Sequence, residues 1–415
     1  MDDIKTDVLV LGQGIGGLLV TAAARAAGLS STVIERAPTD RRAGVPHASQ
    51  LHNLLGRGRR ELERLLPGIT ADLPLFDGVR ARVSTDTRVV DGGRRALERD
   101  LGRELWSIPR MRLEDALRAR PETAPDALIP GRAVGLLLTP DGCGGARVDS
   151  TGGPRPIRAD LVVDAMGGTS PVVAWLRAEG IEVERTVTEV DQWYSTALVR
   201  PARALSGFIM VFPSPGSTRG GLASPRADGS YAVSLNGIGA VDRPPVTEAE
   251  FRAYARSLPD EGITELLEGA LLDRPALFRR PVATWNRHDL APVAGLVAVG
   301  DASGSPNPLH GQGVSGTAWE ARLLGRALRS SPSADGFPAH AGRVRSAVWD
   351  LMTLHSPLRA DVPDAAAWER INDHAEEDPA AQAAVIDVMH LLAPVATLQA
   401  ISRGEVPVPA DSFWE

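Results

Sequence analysis

Three apolar runs of strand length punctuate the chain: Asp7-Val8-Leu9-Val10-Leu11, Thr32-Val33-Ile34-Glu35 and Leu296-Val297-Ala298-Val299. Unbroken apolarity over so few residues reads as a strand buried on both faces. Between the first two, Leu18 to Ala27 is rich in Ala and Leu and predicts a helix, with Gly28 placed to end it. After the third, Ser303 to Pro308 holds two prolines and a glycine in six residues and predicts irregular chain. Val314 to Leu328 then predicts a long helix. The texture differs between these regions. Gly207 to Phe212 is apolar and β-prone, Tyr231 to Asn236 alternates as a half-buried strand would, and a helix is expected near Glu248 to Ser257. Residues 336–415 read as helical. Asp378-Pro379 has the form of an N-cap and a first-turn proline, and Ala380 to Leu392 is apolar on more than one face. That helix is expected to pack on the α/β portion, a dimer contact being the alternative.

The first strand, helix and second strand form a βαβ unit with Gly12-Gln13-Gly14-Ile15-Gly16-Gly17 at its turn. Gly12 permits a tight turn, Gly14 lets backbone approach a pyrophosphate, and Gly17 lets helix and strand pack closely. The helix N-terminus offers free N–H groups to phosphate. Glu35 follows Gly12 by 23 residues (35 − 12) and ends the second strand. A carboxylate there suits ribose hydroxyls and disfavours a 2′-phosphate, so the ligand is an adenine dinucleotide of the FAD or NAD type.

Gly300-Asp301 ends the third strand, and Gly311-Gln312-Gly313 opens the long helix. The carboxylate suits polyol hydroxyls, and the helix N-terminus suits an anion or a polarised carbonyl. Alone, this segment reads equally well as a turn with a helix cap.

Composition narrows the function class. The 415 residues allow two or three domains. Lys+Arg 45 against Asp+Glu 52 gives a net charge of −7, which argues against a phosphate-dominated nucleic-acid binder. Lys5 is the one lysine, which removes lysine-based catalysis from the rest of the chain. Cys143 is the one cysteine, in a turn-like Asp141-Gly142-Cys143-Gly144-Gly145, so disulfides and thiolate clusters are excluded and the thiol reads as incidental. The eight histidines form no H-E-x-x-H, no G-x-S-x-G elbow occurs, and there is no second G-x-G-x-x-G. No apolar run approaches the ~18 residues of a membrane span, and the first residues lack a signal-peptide pattern, so a soluble cytoplasmic protein is expected.

The motifs resemble those of FAD-dependent monooxygenases of the aromatic-hydroxylase superfamily, most of all the bacterial epoxidases and hydroxylases of polyene and polyketide intermediates. The resemblance rests on Gly12 to Gly17 with Glu35-Arg36, Val45-Pro46 with Gln50 to Leu55, and Ile108-Pro109-Arg110 with Leu113-Glu114. It continues through Asp164-Ala165-Met166-Gly167, Arg219-Gly220-Gly221, Gly300-Asp301-Ala302, Asn307-Pro308 and Gly311-Gln312-Gly313. It implies that Gly12, Gly14, Ile15, Gly16 and Gly17 hold the FAD pyrophosphate, and that Glu35 holds the adenosine ribose with Arg36 beside it. Arg110 would reach the pyrophosphate or ribityl region, a natural use of a planar guanidinium. Val134 would present its backbone to the adenine, and Gly300-Asp301 would bind ribityl or phosphate oxygens. Gly311, Gln312, Gly313 and Val314 would sit against the isoalloxazine.

The implied reaction is epoxidation or hydroxylation through a flavin C4a-hydroperoxide, with NAD(P)H as transient reductant, O₂ as oxidant and a small hydrophobic substrate. The family pattern departs at Ser49, where an arginine is usual, and at Met166 to Pro171, where an arginine-bearing segment is usual. It departs again at His310, where Tyr is usual, and in a short Asn286–Leu296 stretch. His52 and His310 are the catalytic candidates, each with a second reading as a satisfied loop or core histidine. Trp193 and Trp285 are candidates for the substrate pocket, with a core role as the alternative. A flavin-containing cyclase or isomerase without net redox turnover stays open, as does a flavin-dependent halogenase or polyprenyl reductase. For a halogenase, Glu104-Leu105-Trp106-Ser107-Ile108-Pro109 has Glu where the first Trp of W-x-W-x-I-P belongs.

The expected architecture is α/β. A Rossmann-type FAD-binding domain spans 1–70, 100–180 and 280–335, a mainly β substrate domain spans 71–99 and 181–279, and 336–415 is a helical C-terminal region. No metal site is expected, and the oligomeric state is left open.

Overall fold

A computed structural model describes residues 5–36, 52–149, 153–203, 207–213, 217–354 and 365–405. Val45, Pro46, Ser49, Gln50 and Leu51, on which part of the family resemblance rests, lie outside the described residues.

Among the described residues the strands form three sheets. The first holds β1 (Lys5–Leu11), β2 (Ser31–Glu35), β8 (Ala127–Pro130), β9 (Ala133–Thr139), β10 (Gly142–Val148), β11 (Arg155–Asp164) and β18 (Leu296–Ala298). β8, β2, β1, β11 and β18 run parallel, and β10 and β9 add antiparallel strands. The all-apolar runs read from the sequence are the interior strands of this sheet. Val8 to Leu11 are fully enclosed because both faces are covered.

Helices α1 (Ile15–Ala26), α8 (Gln312–Ser330) and α9 (Phe337–Met352) pack on one face through Val20, Leu324 and Phe337. The other face meets α5 (Val172–Ala178) and the β9–β10 hairpin, where the Cys143 thiol is buried and its pKa is pushed up by desolvation. Beside α1 and α8 sit α2 (Gly56–Leu65), α3 (Ile69–Asp72) and α4 (Arg110–Arg118). A small sheet of β3 (Asn53–Leu54), β4 (Val79–Arg82) and β7 (Glu104–Ser107) adjoins them.

The third sheet has β5 (Thr87–Asp91), β6 (Arg94–Arg95), β12 (Arg185–Arg200), β13 (Phe208–Val211), β14 (Gly220–Pro225) and β15 (Tyr231–Ile238). β16 (Ala270–Leu271), β17 (Ala276–Asn286) and β19 (Gly304–Ser305) complete it. β17 runs across residue 280, so this sheet crosses the boundary expected there. β15 is buried along seven of its eight residues, where the alternating sequence predicts half burial. The cause is that α6 (Glu248–Ala255) and α7 (Gly262–Leu267) cover one face of the sheet and a cavity wall occupies the other.

α10 (Ala365–Glu377), α11 (Pro379–Met389) and α12 (Ala396–Ser402) form a last layer with α9. Asp378 caps α11 as its sequence predicts, accepting the Ala380 N–H at 2.8 Å. No helix among the described residues is long and apolar enough to cross a membrane, and none of their His, Cys, Asp and Glu side chains group as a metal site would.

Candidate functional site

Gly12 ends β1 with φ +96, and a Cβ there would lie 2.8 Å from the carbonyl oxygen of Ala165. A Cβ on Gly17 would sit 1.9 Å from the Gly12 carbonyl oxygen, so that position admits only glycine. Gly14 is the N-cap of α1 and uses no side chain, which leaves the first-turn N–H groups facing open space. The Gln13 N–H donates to Oε2 of Glu35 at 2.7 Å, which ties the turn to the end of β2. Arg118 on α4 donates to the Gln13 carbonyl at 2.8 Å and to its side-chain oxygen at 2.9 Å. Glu114, 1% exposed, lies 3.2 Å from Arg110 and 3.6 Å from Arg118 and so sets both guanidinium groups on one side of α4.

The second motif is braced from behind. Gly300 has φ +64 and donates its N–H to Oε2 of Glu320 at 2.7 Å. Glu320 also accepts from the Ser303 hydroxyl at 3.0 Å and pairs with Arg345, all of it buried. Arg345 continues to the Gly304 carbonyl at 2.9 Å. Asp301 therefore stands on a backbone turn gripped by an ion pair, with Oδ2 3.4 Å from the Ser305 hydroxyl. Gly311, in the left-handed region at φ +68, starts α8, and a Cβ on Gly313 would meet nothing within 4 Å. The N-terminus of α8 is thus open, as that of α1 is.

Both turns open on one cavity of about 1010 Å³. That is the upper end of the ~300–1000 Å³ typical of ligand sites, enough for a dinucleotide and a second molecule. Gly12, Gly14, Ile15, Gly16, Glu35, Arg36, Arg110, Gly300, Asp301, Gly311, Gly313, Val314, His52 and His310 all line it. Three expected residues do not. Gly17 packs inward against the turn, and Gln312 is buried with its Nε2 donating to the Asn307 carbonyl at 3.1 Å. At Val134 the wall is made instead by the preceding Gly131, Arg132 and Ala133. Met166, Gly167 and Gly168, where the family pattern departs, form part of the wall. Asp164 beneath them accepts from the Met166 N–H at 3.1 Å and the Ser170 hydroxyl at 2.5 Å. Its burial raises its pKa to about 6.

His310 is 7% exposed and its ring stacks on Phe212 at 5.7 Å. The tryptophans lie elsewhere. Trp193 is held between Arg243 and Arg279 at 4.8 and 5.0 Å, and Trp285 packs on Trp349 at 5.9 Å. Strand alternation is the reason: Tyr194 and Phe278, cross-strand partners in the β12–β17 register, take the cavity side, and Trp193 takes the other.

The roof was not foreseen. Trp368 and Glu376 of α10, and Val385, Ile386 and Met389 of α11, line the cavity together with Met210 of β13 and Leu222 of β14. Arg94 meets Asp373 at 2.7 Å and Glu376 at 2.6 Å, and Arg103 meets Asp387 through two 2.7 Å contacts. Gln382 donates to the Leu97 carbonyl at 2.7 Å and the Ser84 hydroxyl at 2.9 Å. His390 accepts the Gly56 N–H at 3.2 Å, its pKa pushed down to about 4 by burial. The C-terminal helices thus meet α2, within the portion expected to receive them, and also the strand region around 84–103.

The residues present fit FAD. Two open helix N-termini, a carboxylate at the end of β2, a carboxylate after β18 and Arg110 converge on one elongated cavity.

No family model matches the chain. It is 28% identical to Protein Rv3254 of Mycobacterium tuberculosis over 80% of this chain and 74% of that one. It is 24% identical to a digeranylgeranylglycerophospholipid reductase of Methanosarcina mazei, over 80% and 76% of the two chains. Among solved structures it resembles the flavin-dependent brominase Bmp2, with a TM-score of 0.68, 15% identity and 93% of each chain covered. It also resembles the OxyS anhydrotetracycline hydroxylase of Streptomyces rimosus, with a TM-score of 0.63, 18% identity, and 94% and 76% covered.

Proposed function

We propose, for a chain that has the fold of the FAD-dependent monooxygenase superfamily, that it binds FAD and oxygenates a hydrophobic secondary-metabolite intermediate of polyketide or polyene type. The observation that carries this reading is the meeting of two dinucleotide-type turns, almost 290 residues apart (300 − 12), in one cavity that continues into a chamber with Met210, Leu222, Ile386 and Met389 on its walls. The residues assigned to FAD are those that line the cavity. The α1 N-terminus takes the pyrophosphate, Glu35 the adenosine ribose, Asp301 the ribityl chain, and the α8 N-terminus the carbonyl edge of the ring. When bound, FAD supplies the redox chemistry, with NAD(P)H from solution as reductant and O₂ as the oxygen source. The sheet floor and the helical roof orient the substrate and keep water out. His52 and His310 are the polar rings to test in this chamber.

The test is the visible spectrum of purified, anaerobic protein before and after NAD(P)H, with dithionite as control. Bleaching of a bound flavin, restored by air, is the expected result. A flavin reduced by dithionite alone favours the cyclase reading. Absence of flavin uptake from added FAD overturns the proposal.

The likeness to the archaeal reductase supports a second reading, reduction of an isoprenoid double bond. The two separate on oxygen: a monooxygenase consumes O₂ with its product, and a reductase turns over without it.

A further inference from the structure

The chamber floor carries a positive charge that the cofactor assignment does not use. Arg280 lies on β17, lines the cavity, and reaches one neutral partner, the Ser305 hydroxyl, at 3.0 Å from Nη1. Its Nε is enclosed without a hydrogen-bond partner, and its guanidinium stands 5.7 Å from the Phe278 ring centre. No carboxylate of the described residues forms an ion pair with it within 4 Å; Asp301 meets the far side of the same Ser305 hydroxyl instead. Two strands away on the same floor, Asn236 is 5% exposed and its Nδ2 has no acceptor. Tyr194 between them is already engaged, its hydroxyl 2.8 Å from Oδ1 of Asn307.

A partly enclosed guanidinium that reaches a carboxylate only through a shared hydroxyl is incompletely compensated, and an anion brought directly to it recovers that cost. Its planar fork matches a carboxylate or a similar delocalised oxygen anion. The surrounding walls are apolar, so the molecule that satisfies Arg280 has an apolar body.

We propose that Arg280 is a specificity-determining residue: it selects an apolar substrate that bears an anionic oxygen. This rests on the FAD reading for the rest of the cavity, and the two can fail separately, since flavin content reports one and ligand charge preference the other.

The test is equilibrium dialysis of the FAD-loaded protein with 2-naphthoate and 2-naphthamide, probes of one shape that differ in charge. Naphthoate is expected to bind at least ~10-fold more tightly, the scale of one charge-assisted hydrogen bond. Arg280→Gln is expected to bring the ratio below ~2-fold, the surface-like limit, and Arg280→Lys to keep part of it, with flavin content unchanged in both. A ratio near one in the unaltered protein, no binding of either probe, or a ratio that survives Arg280→Gln overturns the proposal. Loss of FAD from Arg280→Gln also overturns it, because the guanidinium then serves the cofactor.

Discussion

Arg118 holds Gln13 by both of its oxygens, the carbonyl at 2.8 Å and the side chain at 2.9 Å, across 105 residues of sequence. The glycine turn is therefore clamped from α4 on one side and from Glu35, through the Gln13 N–H, on the other. A turn built from glycines has little stiffness of its own, and the clamp holds it in one shape, the one proposed to receive the pyrophosphate. Arg118→Met should keep the fold and weaken FAD about tenfold, roughly 1.4 kcal/mol, as read by flavin fluorescence titration. Unchanged affinity would show that the turn holds its shape unaided.

Asp301→Ala removes the carboxylate assigned to the ribityl chain and leaves the backbone turn, whose grip comes from Glu320. The variant should purify folded, by circular dichroism, and without bound flavin. Full flavin retention would sink the assignment of Asp301.

Glu320 and Arg345 are 0% and 4% exposed at their side chains. Breaking such a buried pair strands the surviving charge, at a cost of about 3–5 kcal/mol. Glu320→Gln should lower the denaturant midpoint accordingly and loosen FAD, since the Gly300 N–H loses its anionic acceptor. The double change Glu320→Leu with Arg345→Met should recover most of the stability and not the FAD affinity. Equal recovery of both would mean that the pair serves packing alone.

His390 sits at the junction of roof and α2, and desolvation lowers its pKa from 6.5 to about 4. The unfolded chain binds this proton more readily than the folded one. The stability due to neutral His390 is thus fully present above pH 6.5 and is lost progressively as pH falls from 6.5 to about 4. Between pH 7 and about 4.5, unaltered protein should lose about 2 kcal/mol relative to His390→Gln, measured by urea unfolding at each pH. Parallel pH curves for the two would contradict this.

The parts of the site legible in the sequence are those whose geometry is local. A glycine turn between a strand and a helix states its own shape, so the Gly12 to Gly17 and Gly300 to Gly313 segments could be placed from spacing. Gln312 and Val134, assigned by resemblance, show the limit, since a motif locates a segment but not the side of it that faces the cavity, whereas Gly17 packs helix on strand as its spacing predicts. Arg118 to Gln13 and Glu320 to Arg345 are pairs of ordinary polar or charged residues on separate elements, without a periodic or motif signal. The roof was illegible for another reason. Ala380 to Leu392 is apolar on several faces, which announces burial without saying that one of those faces lines a cavity. Residue type alone left Trp193 open between the pocket and the core. Once β12 and β17 are paired, the two-residue repeat sends it to the far face.

The roof is also the youngest wall of the chamber. Translation delivers the glycine turn, the β17 floor and the start of α8 before α10 and α11 emerge from the ribosome. The glycine turns can then be complete while the chamber is still open to free flavin on that side. Loading would come first and closure second, so the arginines at 94 and 103 would latch a cover over a cofactor already in place. Stalled nascent chains with residues through 354 exposed should already retain FAD, and a failure to do so would make the roof part of the loading step itself.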